Sequence, residues 1–175
     1  MKLFKHRRTR LGYTLIELSV VLVLVVLISS TLVSMLNQQV SFYSWWNTQK
    51  FIAEDAPLTN SMVVRVFSKA DDIEIFADRT SALTGGNGVV IDGEVILLGF
   101  LQGDGSKKYG MIEYDGDEDE LVYNVLNDAG NGVISSWTIA TGIADASFDV
   151  VNSVHQLTLT GPYGGQVTYA TTPTL

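Results

Sequence analysis

The chain has 175 residues, of which 11 are basic and 19 acidic, and its formal net charge is -8. This length suits one modest domain with a tail. The acidic balance argues against a nucleic-acid-binding protein, because such proteins present basic patches that neutralise phosphates. The absence of cysteine excludes disulfide bonds, thiolate catalysis and cysteine-ligated metals.

The basic residues are concentrated at the N-terminus. Five of the 11 precede Gly12, namely Lys2, Lys5, Arg7, Arg8 and Arg10. The rest of the chain keeps six basic residues against all 19 acidic ones, a net charge of -13. A basic head before an acidic body is typical of a targeting signal followed by an exported domain.

Residues 13–36 form an apolar run whose only charge is Glu17. About 20 apolar residues suffice to cross a bilayer as a helix, and lipid favours a helix because the backbone must satisfy its own hydrogen bonds. The preceding basic residues place the N-terminus in the cytoplasm. An ordinary secretory signal is the alternative. It would have a shorter apolar region with a small-residue cleavage site after it, whereas here Gly12 stands before the run.

A helical pattern continues beyond this run. Apolar and amphipathic residues recur at steps of about three to five residues, at Leu36, Val40, Tyr43, Asn47 and Ile52 and again at Leu58, Met62 and Val66. We therefore predict one helix from about Tyr13 to about Lys69. Pro57 should kink it, because proline lacks the N–H and clashes with the preceding turn. Asp55 is the expected N-cap of the second part.

Beyond residue 72 glycines become frequent and short apolar runs alternate with turn signals, which predicts strands. The predicted strands are residues 89–91, 95–101, 109–114, 121–126, 136–141, 147–151, 155–160 and 166–170. A helix followed by an antiparallel sheet is an α+β fold. The predicted organisation is a leader at 1–12, a transmembrane half-helix at 13–36, an outer half-helix at 37–72, and a β domain at 73–175.

Residues 12–17 read Gly-Tyr-Thr-Leu-Ile-Glu. This segment resembles the signal sequence of type IV prepilins and type II secretion pseudopilins, in which a basic leader ends in glycine and glutamate stands fifth in the mature chain. The resemblance implies that a prepilin peptidase cleaves between Gly12 and Tyr13, that Tyr13 becomes the N-methylated N-terminus, and that Glu17 serves subunit assembly. The family usually has phenylalanine where this chain has Tyr13.

Physical chemistry supports these roles. Glycine lets a protease approach the backbone without a side chain in the way. A carboxylate in a lipid-buried helix is costly without a partner, and the cationic N-terminal amine of a neighbouring subunit would neutralise Glu17 and set the register between subunits. The alternative for Glu17 is an interfacial residue that stays hydrated.

The rest of the chain is most similar to J-type minor pseudopilins and W-type minor pilins. The similarity lies in residues 51–75, 119–124, 143–148 and 155–159. It implies a pilin-like fold and a minor subunit that initiates or caps a type IV pilus or type II secretion pseudopilus. Such a subunit is anchored in the inner membrane by one span, has a periplasmic body, and has other pilins as partners. The missing cysteines argue against many major pilins.

Two other functions stay open, an uncleaved membrane-anchored binding domain and a pilus subunit for DNA uptake or adhesion. We predict no enzyme, because His6 and His155 lack a recognisable catalytic motif. We also predict no cofactor, with one exception to weigh. The alternating carboxylates Asp115, Asp117 and Asp119 offer oxygen ligands for calcium, although the EF-hand pattern fails and a solvated turn explains them equally.

Trp45 and Trp46 follow the apolar run. They suit an aromatic belt at the membrane interface, or else a helix face that packs on the sheet. Helical spacing favours packing for at least one of the pair.

Overall fold

A long helix opens the computed structural model of this protein, which describes residues 13–171. Its first part, α1, covers Leu15–Lys50, a π-helical turn covers Phe51–Asp55, and α2 covers Ala56–Phe67. The predicted helix is confirmed, with its end two residues earlier than expected. The chain divides into two units that are described separately, the first ending at Tyr43 and the second beginning at Ser44.

The π-helical turn lies immediately before Pro57. The N–H of Ala56 donates to the carbonyl of Phe51, five residues back. Proline cannot donate a helical bond and its ring clashes with the carbonyl four residues earlier, so a wider turn relieves the conflict at this place. The predicted N-cap is wrong. Asp55 has helical backbone angles and its side chain makes no capping bond, because the helix does not stop there.

The wide turn keeps one face of the helix buried on both sides of Pro57. The buried residues of α2 are three or four positions apart, at Ala56, Thr59, Val63 and Phe67. Phe51, the buried residue before them, is five positions from Ala56. An α-helix turns by about 100° per residue, so a five-residue step would leave the buried face unless the turn were widened by one residue. The π turn supplies that residue.

Within residues 13–171, eight strands form two antiparallel sheets. The first has the order β1-β2-β3-β4-β5 and the second β6-β7-β8. The strands are β1 Asp72–Phe76, β2 Val95–Leu101, β3 Lys107–Asp115, β4 Glu120–Leu126, β5 Val133–Thr141, β6 Asp145–Val151, β7 Val154–Thr160 and β8 Gln166–Thr171. The α+β class is therefore confirmed. A short helix, α3 (Arg79–Thr84), was not predicted, and neither was β1 as a strand of its own.

The strand predicted at residues 89–91 is wrong. The N–H of Val89 donates to Ile75 in β1 at 2.8 Å, whereas the carbonyl of Val90 accepts from Val150 in β6 at 2.7 Å. The segment thus bonds to two different sheets and forms no ladder with either. A bridge between Gly93 and Phe148 completes this connection between the two sheet edges.

The main core lies between one face of the first sheet, α2 and the second sheet. Its largest fully buried side chains are Val63, Phe67, Ile96, Leu98, Ile112, Leu121, Ile143, Phe148, Leu157 and Leu159. Burying one such side chain contributes about 1.5–3 kcal/mol. The opposite face of the first sheet packs a smaller cluster under α3, made of Phe76, Ala82, Val95, Met111 and Leu126. The first sheet is therefore covered on both faces near β2 and β3.

Gly161 allows the end of β7 to approach the helix closely. A Cβ at this position would lie 2.6 Å from Cγ of Phe51, which is buried. We expect Gly161→Ala to lower the free energy of unfolding by about 1–3 kcal/mol, because the close-packed ring has to move. Gly103→Ala is the control, since a Cβ there meets nothing within 4 Å. Urea unfolding measures both, and equal stability of the two variants would contradict the packing.

Candidate functional site

The N-terminus of α1 is held by a reciprocal set of hydrogen bonds between Thr14 and Glu17. The backbone N–H of Thr14 donates to Oε2 of Glu17 at 2.8 Å, and its hydroxyl donates to the same oxygen at 3.0 Å. In return, the N–H of Glu17 donates to the Thr14 hydroxyl oxygen at 3.2 Å. This is a capping box, in which two otherwise unpaired helix N–H groups find partners.

The capping box gives Glu17 a third role, which is to cap its own helix. A carboxylate at a helix N-terminus is favoured by the helix dipole, so its charge costs less there than in mid-helix. Both donors from Thr14 reach Oε2, and an ionised carboxylate has about four acceptor sites. Glu17 therefore keeps capacity for a donor from another chain. Gly12 and the basic leader lie outside the described residues, while Tyr13 is described and exposed.

The apolar surface of α1 is uncovered. None of its residues is buried, and it contains the one described segment that is long and apolar enough to cross a membrane. Several hydroxyl side chains of its apolar part bond within the helix. Ser19 donates to the carbonyl of Ile16 at 2.8 Å, and Ser30 donates to that of Leu27 at 2.9 Å. Such internal pairing is what lipid demands of polar groups in a span.

The two tryptophans are not part of the buried core. Trp45 is 55 % exposed and Trp46 is 58 % exposed. The residues that pack are the next along the helix, since Phe51 is buried and Thr48 lies against Gly165. Trp46 instead lines an open groove of about 510 Å³ with Gln49, Lys50, Ala53 and Glu54. The packing interpretation and the aromatic belt both stay predictions.

The acidic turn between β3 and β4 is tied together by its own backbone. Oδ1 of Asp115 accepts from the N–H of Asp117 at 3.1 Å, and Asp119 has a positive φ of 54°. Oε2 of Glu120 accepts from the Thr138 hydroxyl at 2.8 Å. Within residues 13–171 no three acidic or histidine side chains are grouped as a metal ion would require. Asp115, Asp117 and Asp119 therefore gain no geometric support as calcium ligands.

A polar chain that the sequence analysis missed crosses the first sheet. Nη1 of Arg79 donates to Oε1 of the buried Glu113 at 2.9 Å, and Nδ2 of Asn124 donates to the same oxygen at 2.7 Å. The Ser136 hydroxyl donates in turn to Oδ1 of Asn124. The only available signal was a charged or amide residue inside an otherwise apolar strand, at Glu113 and at Asn124.

This polar chain borders a cleft of about 320 Å³. Its lining is Arg79, Glu94, Val95, Glu113, Tyr114, Asp115, Gly116 and Asp117. The lining contains neither a histidine nor a serine, threonine or cysteine nucleophile, and its buried carboxylate already pairs with Arg79. The hydroxyl of Tyr114 donates to the carbonyl of Ala144 at 2.7 Å, and burial together with nearby Asp119 raises its pKa. The arrangement ties α3, β3, β4 and β5 together.

His155 lies in β7 on the same face as the core residue Leu157, as the strand pattern predicts. Among the described residues, its Nδ1 atom is buried without a hydrogen-bond partner. Burial lowers the pKa of His155 below its ordinary value, because the charged imidazolium would lose hydration.

This burial predicts a pH-dependent stability. The unfolded chain takes up a proton near pH 6.5 and the folded chain resists it, so the free energy of unfolding is highest above pH 6.5 and falls as the pH is lowered towards the folded pKa. We expect His155→Gln to flatten this slope between about pH 7 and pH 5. Urea unfolding of both chains across this range is the measurement. An unchanged slope would place the titration on another group.

Comparisons of this chain with protein-family models, with curated proteins and with solved structures return no match. The function must therefore be argued from the residues themselves.

Proposed function

We propose that this chain is a minor pilin or pseudopilin, a structural subunit that initiates or caps a type IV pilus or type II secretion pseudopilus after its leader is removed. It is not itself an enzyme. It is a substrate of a prepilin peptidase, and its body folds as a pilin-like helix on antiparallel sheets outside the cytoplasm, behind a single inner-membrane span.

The uncovered helix α1 is the observation that carries this proposal. Its first residue, Leu15, stands three positions after Gly12, and none of its residues is buried by the described part of the chain. So large an apolar surface needs lipid before assembly and other helices after it. A filament subunit passes from one of these surroundings to the other. An ordinary anchor needs only lipid, and needs no carboxylate at Glu17.

Glu17 supports the same proposal through its position. Residue 13 would carry the new α-amine after cleavage, and the capping box keeps the Glu17 carboxylate at the same end of the helix. In a neighbouring subunit displaced along the filament axis, such a carboxylate meets the amine as an opposite charge in a low-dielectric core. The pairing would then select one axial register.

Intact-mass spectrometry of the membrane form tests the proposal. The expected species begins at Tyr13, lacks residues 1–12 and carries one additional methyl group. The same measurement on cells without the prepilin peptidase is the control, and it should give the full-length chain. A full-length chain in both samples would favour the rival function, an uncleaved membrane-anchored binding domain.

Whether the chain is a minor or a major subunit has a separate test. A cysteine-free body of about 105 residues after the helix is large for close helical stacking, whereas a tip position leaves its outer surface without a neighbour above. We expect quantitative proteomics of sheared filaments to find this chain at a small fraction of the most abundant pilin. If it is the dominant species, the tip position is contradicted. The alternative, a pilus subunit for adhesion or DNA uptake, is then favoured. The acidic body offers DNA no evident site.

A further inference from the structure

The six basic residues after Gly12 fall into two groups of three, according to whether they form a salt bridge. Arg79, Lys107 and Lys108 each form a salt bridge on the first sheet. The remaining basic residues after Gly12 are Lys50, Arg65 and Lys69. All three are exposed on or just after the helix, and none forms a salt bridge with any residue between 13 and 171. Among residues 13–171, Lys50, Arg65 and Lys69 are thus the cations that no carboxylate pairs with directly.

Arg65 shares a helix face with exposed apolar residues. Met62 and Arg65 follow Leu58 at four and seven positions, which is the spacing of one helix face, and Lys69 stands in the turn two residues after the end of α2 at Phe67. Leu58 is 60 % exposed and Met62 41 %. We call Leu58, Met62, Arg65 and Lys69 the basic stripe. It lies opposite the buried face of α2, so the chain's own sheets do not cover it.

The third cation, Lys50, lies outside the basic stripe. It lines a groove with Glu54, so a carboxylate is already close to it. The acids that follow Lys69 are engaged elsewhere. Oδ2 of Asp71 accepts from the N–H of Leu101 at 2.7 Å, and Asp72 pairs with Lys107. Arg65 and Lys69 therefore offer their donors to something outside the described chain.

We propose that the basic stripe is the docking site for an acidic amphipathic helix of a neighbouring subunit. Arg65 lies in the last turn of α2 and Lys69 follows four residues later in the turn after it, so the partner carries two carboxylates three or four residues apart. One further turn along, its apolar residues cover Leu58 and Met62, as in helix-in-groove recognition. This inference rests on the proposed filament function, since it names the contact of a neighbouring subunit.

Charge complementarity selects a different chain as the occupant. Two copies of this body, each with 19 acidic and six basic residues after Gly12, repel one another. The helix of a second copy also lacks the required pair, because its carboxylates are Glu17 and the adjacent Glu54 and Asp55. Complementary charge fixes register and partner choice, which is what an ordered tip complex requires.

Site-specific photocrosslinking of the full-length chain in native membranes tests this assignment. A benzophenone amino acid replaces Met62, and the crosslinked peptide is identified by mass spectrometry. We expect it to come from another pilin-type chain, within a helix that has two carboxylates three or four residues apart. Arg65→Glu with Lys69→Glu should lower the crosslink yield about tenfold, and lysines in place of those two partner carboxylates should restore it.

Lys108→Glu is the matched control for Lys69→Glu alone, which should itself lower the crosslink yield. It changes the net charge by the same amount on the sheet surface, leaves the salt bridge between Lys107 and Asp72 in place and should leave the crosslink unchanged. Equal loss in the Lys69→Glu and Lys108→Glu variants, or adducts to phospholipid, to a second copy of this chain or to a segment without carboxylates, would overturn the inference. Leader removal is followed in the same samples. A processed chain without the expected crosslink would contradict the docking site alone. An unprocessed chain would contradict the proposed function.

Discussion

Replacing Gly12 with tryptophan is expected to reduce removal of residues 1–12 by about a hundredfold or more, because a small displacement of the scissile bond is enough to cost that much in rate. The peptidase must close on the backbone at this position, and only glycine leaves that approach free of a side chain. Pulse-chase labelling followed by separation of the two chain lengths measures the rate.

Phe4→Trp is the control for the Gly12 variant. It adds the same bulky ring to the leader, eight residues before the expected cleavage point, and should be processed normally. The apolar run is unchanged in both variants, so both should reach the membrane. Normal processing of Gly12→Trp would remove the basis for the signal interpretation.

Glu17→Ala should leave membrane insertion intact and reduce incorporation into filaments or tip complexes about tenfold or more. Removal of a charge makes the helix easier to insert, so a loss of assembly cannot come from insertion. It must come from contacts between subunits or from the loss of the capping box with Thr14.

Glu17→Gln separates these two causes. Glutamine accepts the capping hydrogen bonds of Thr14 as glutamate does, but it carries no charge to pair with an amine. If pairing between subunits drives assembly, the glutamine variant fails as the alanine variant does. If it assembles normally, the capping box alone explains Glu17. Membrane fractionation and co-purification with the other pilins are read on the same samples.

The elements that the sequence predicts well are those with strong local patterns. The apolar run 95–101 coincides with β2, and the long helix follows its stripe to within two residues. Short elements, and segments that bond to more than one sheet, are not predicted correctly. The helix α3 has only six residues, and its signals are the cap at Asp78 and the left-handed Gly85. Residues 89–91 have β-branched side chains, but bond to two different sheets.

The residues of the candidate site also differ in how well the sequence predicts them. Gly12, Tyr13 and Glu17 are found by order along the chain, because a signal for a peptidase is linear. Glu113 and Asn124 meet only through the register of β3 and β4, which places Asn124 opposite Met111. The basic stripe could not be predicted from the sequence, because identifying it requires the burial and the salt bridges of its residues. A sequence gives the positions of Arg65 and Lys69 but not the absence of a salt bridge.

The π turn before Pro57 means that the helix contains one residue more than a regular helix joining the same two faces would need. Deleting Ala53 together with Pro57→Ala should therefore restore an unbroken α-helix with the buried face of Phe51 and Ala56 still aligned. Deleting a residue in the regular turn around Met62 should instead rotate everything after it by about 100° and expose Val63 or Phe67 to water. The segment 51–55 can therefore lose one residue without changing the direction in which Arg65 and Lys69 face a neighbouring subunit.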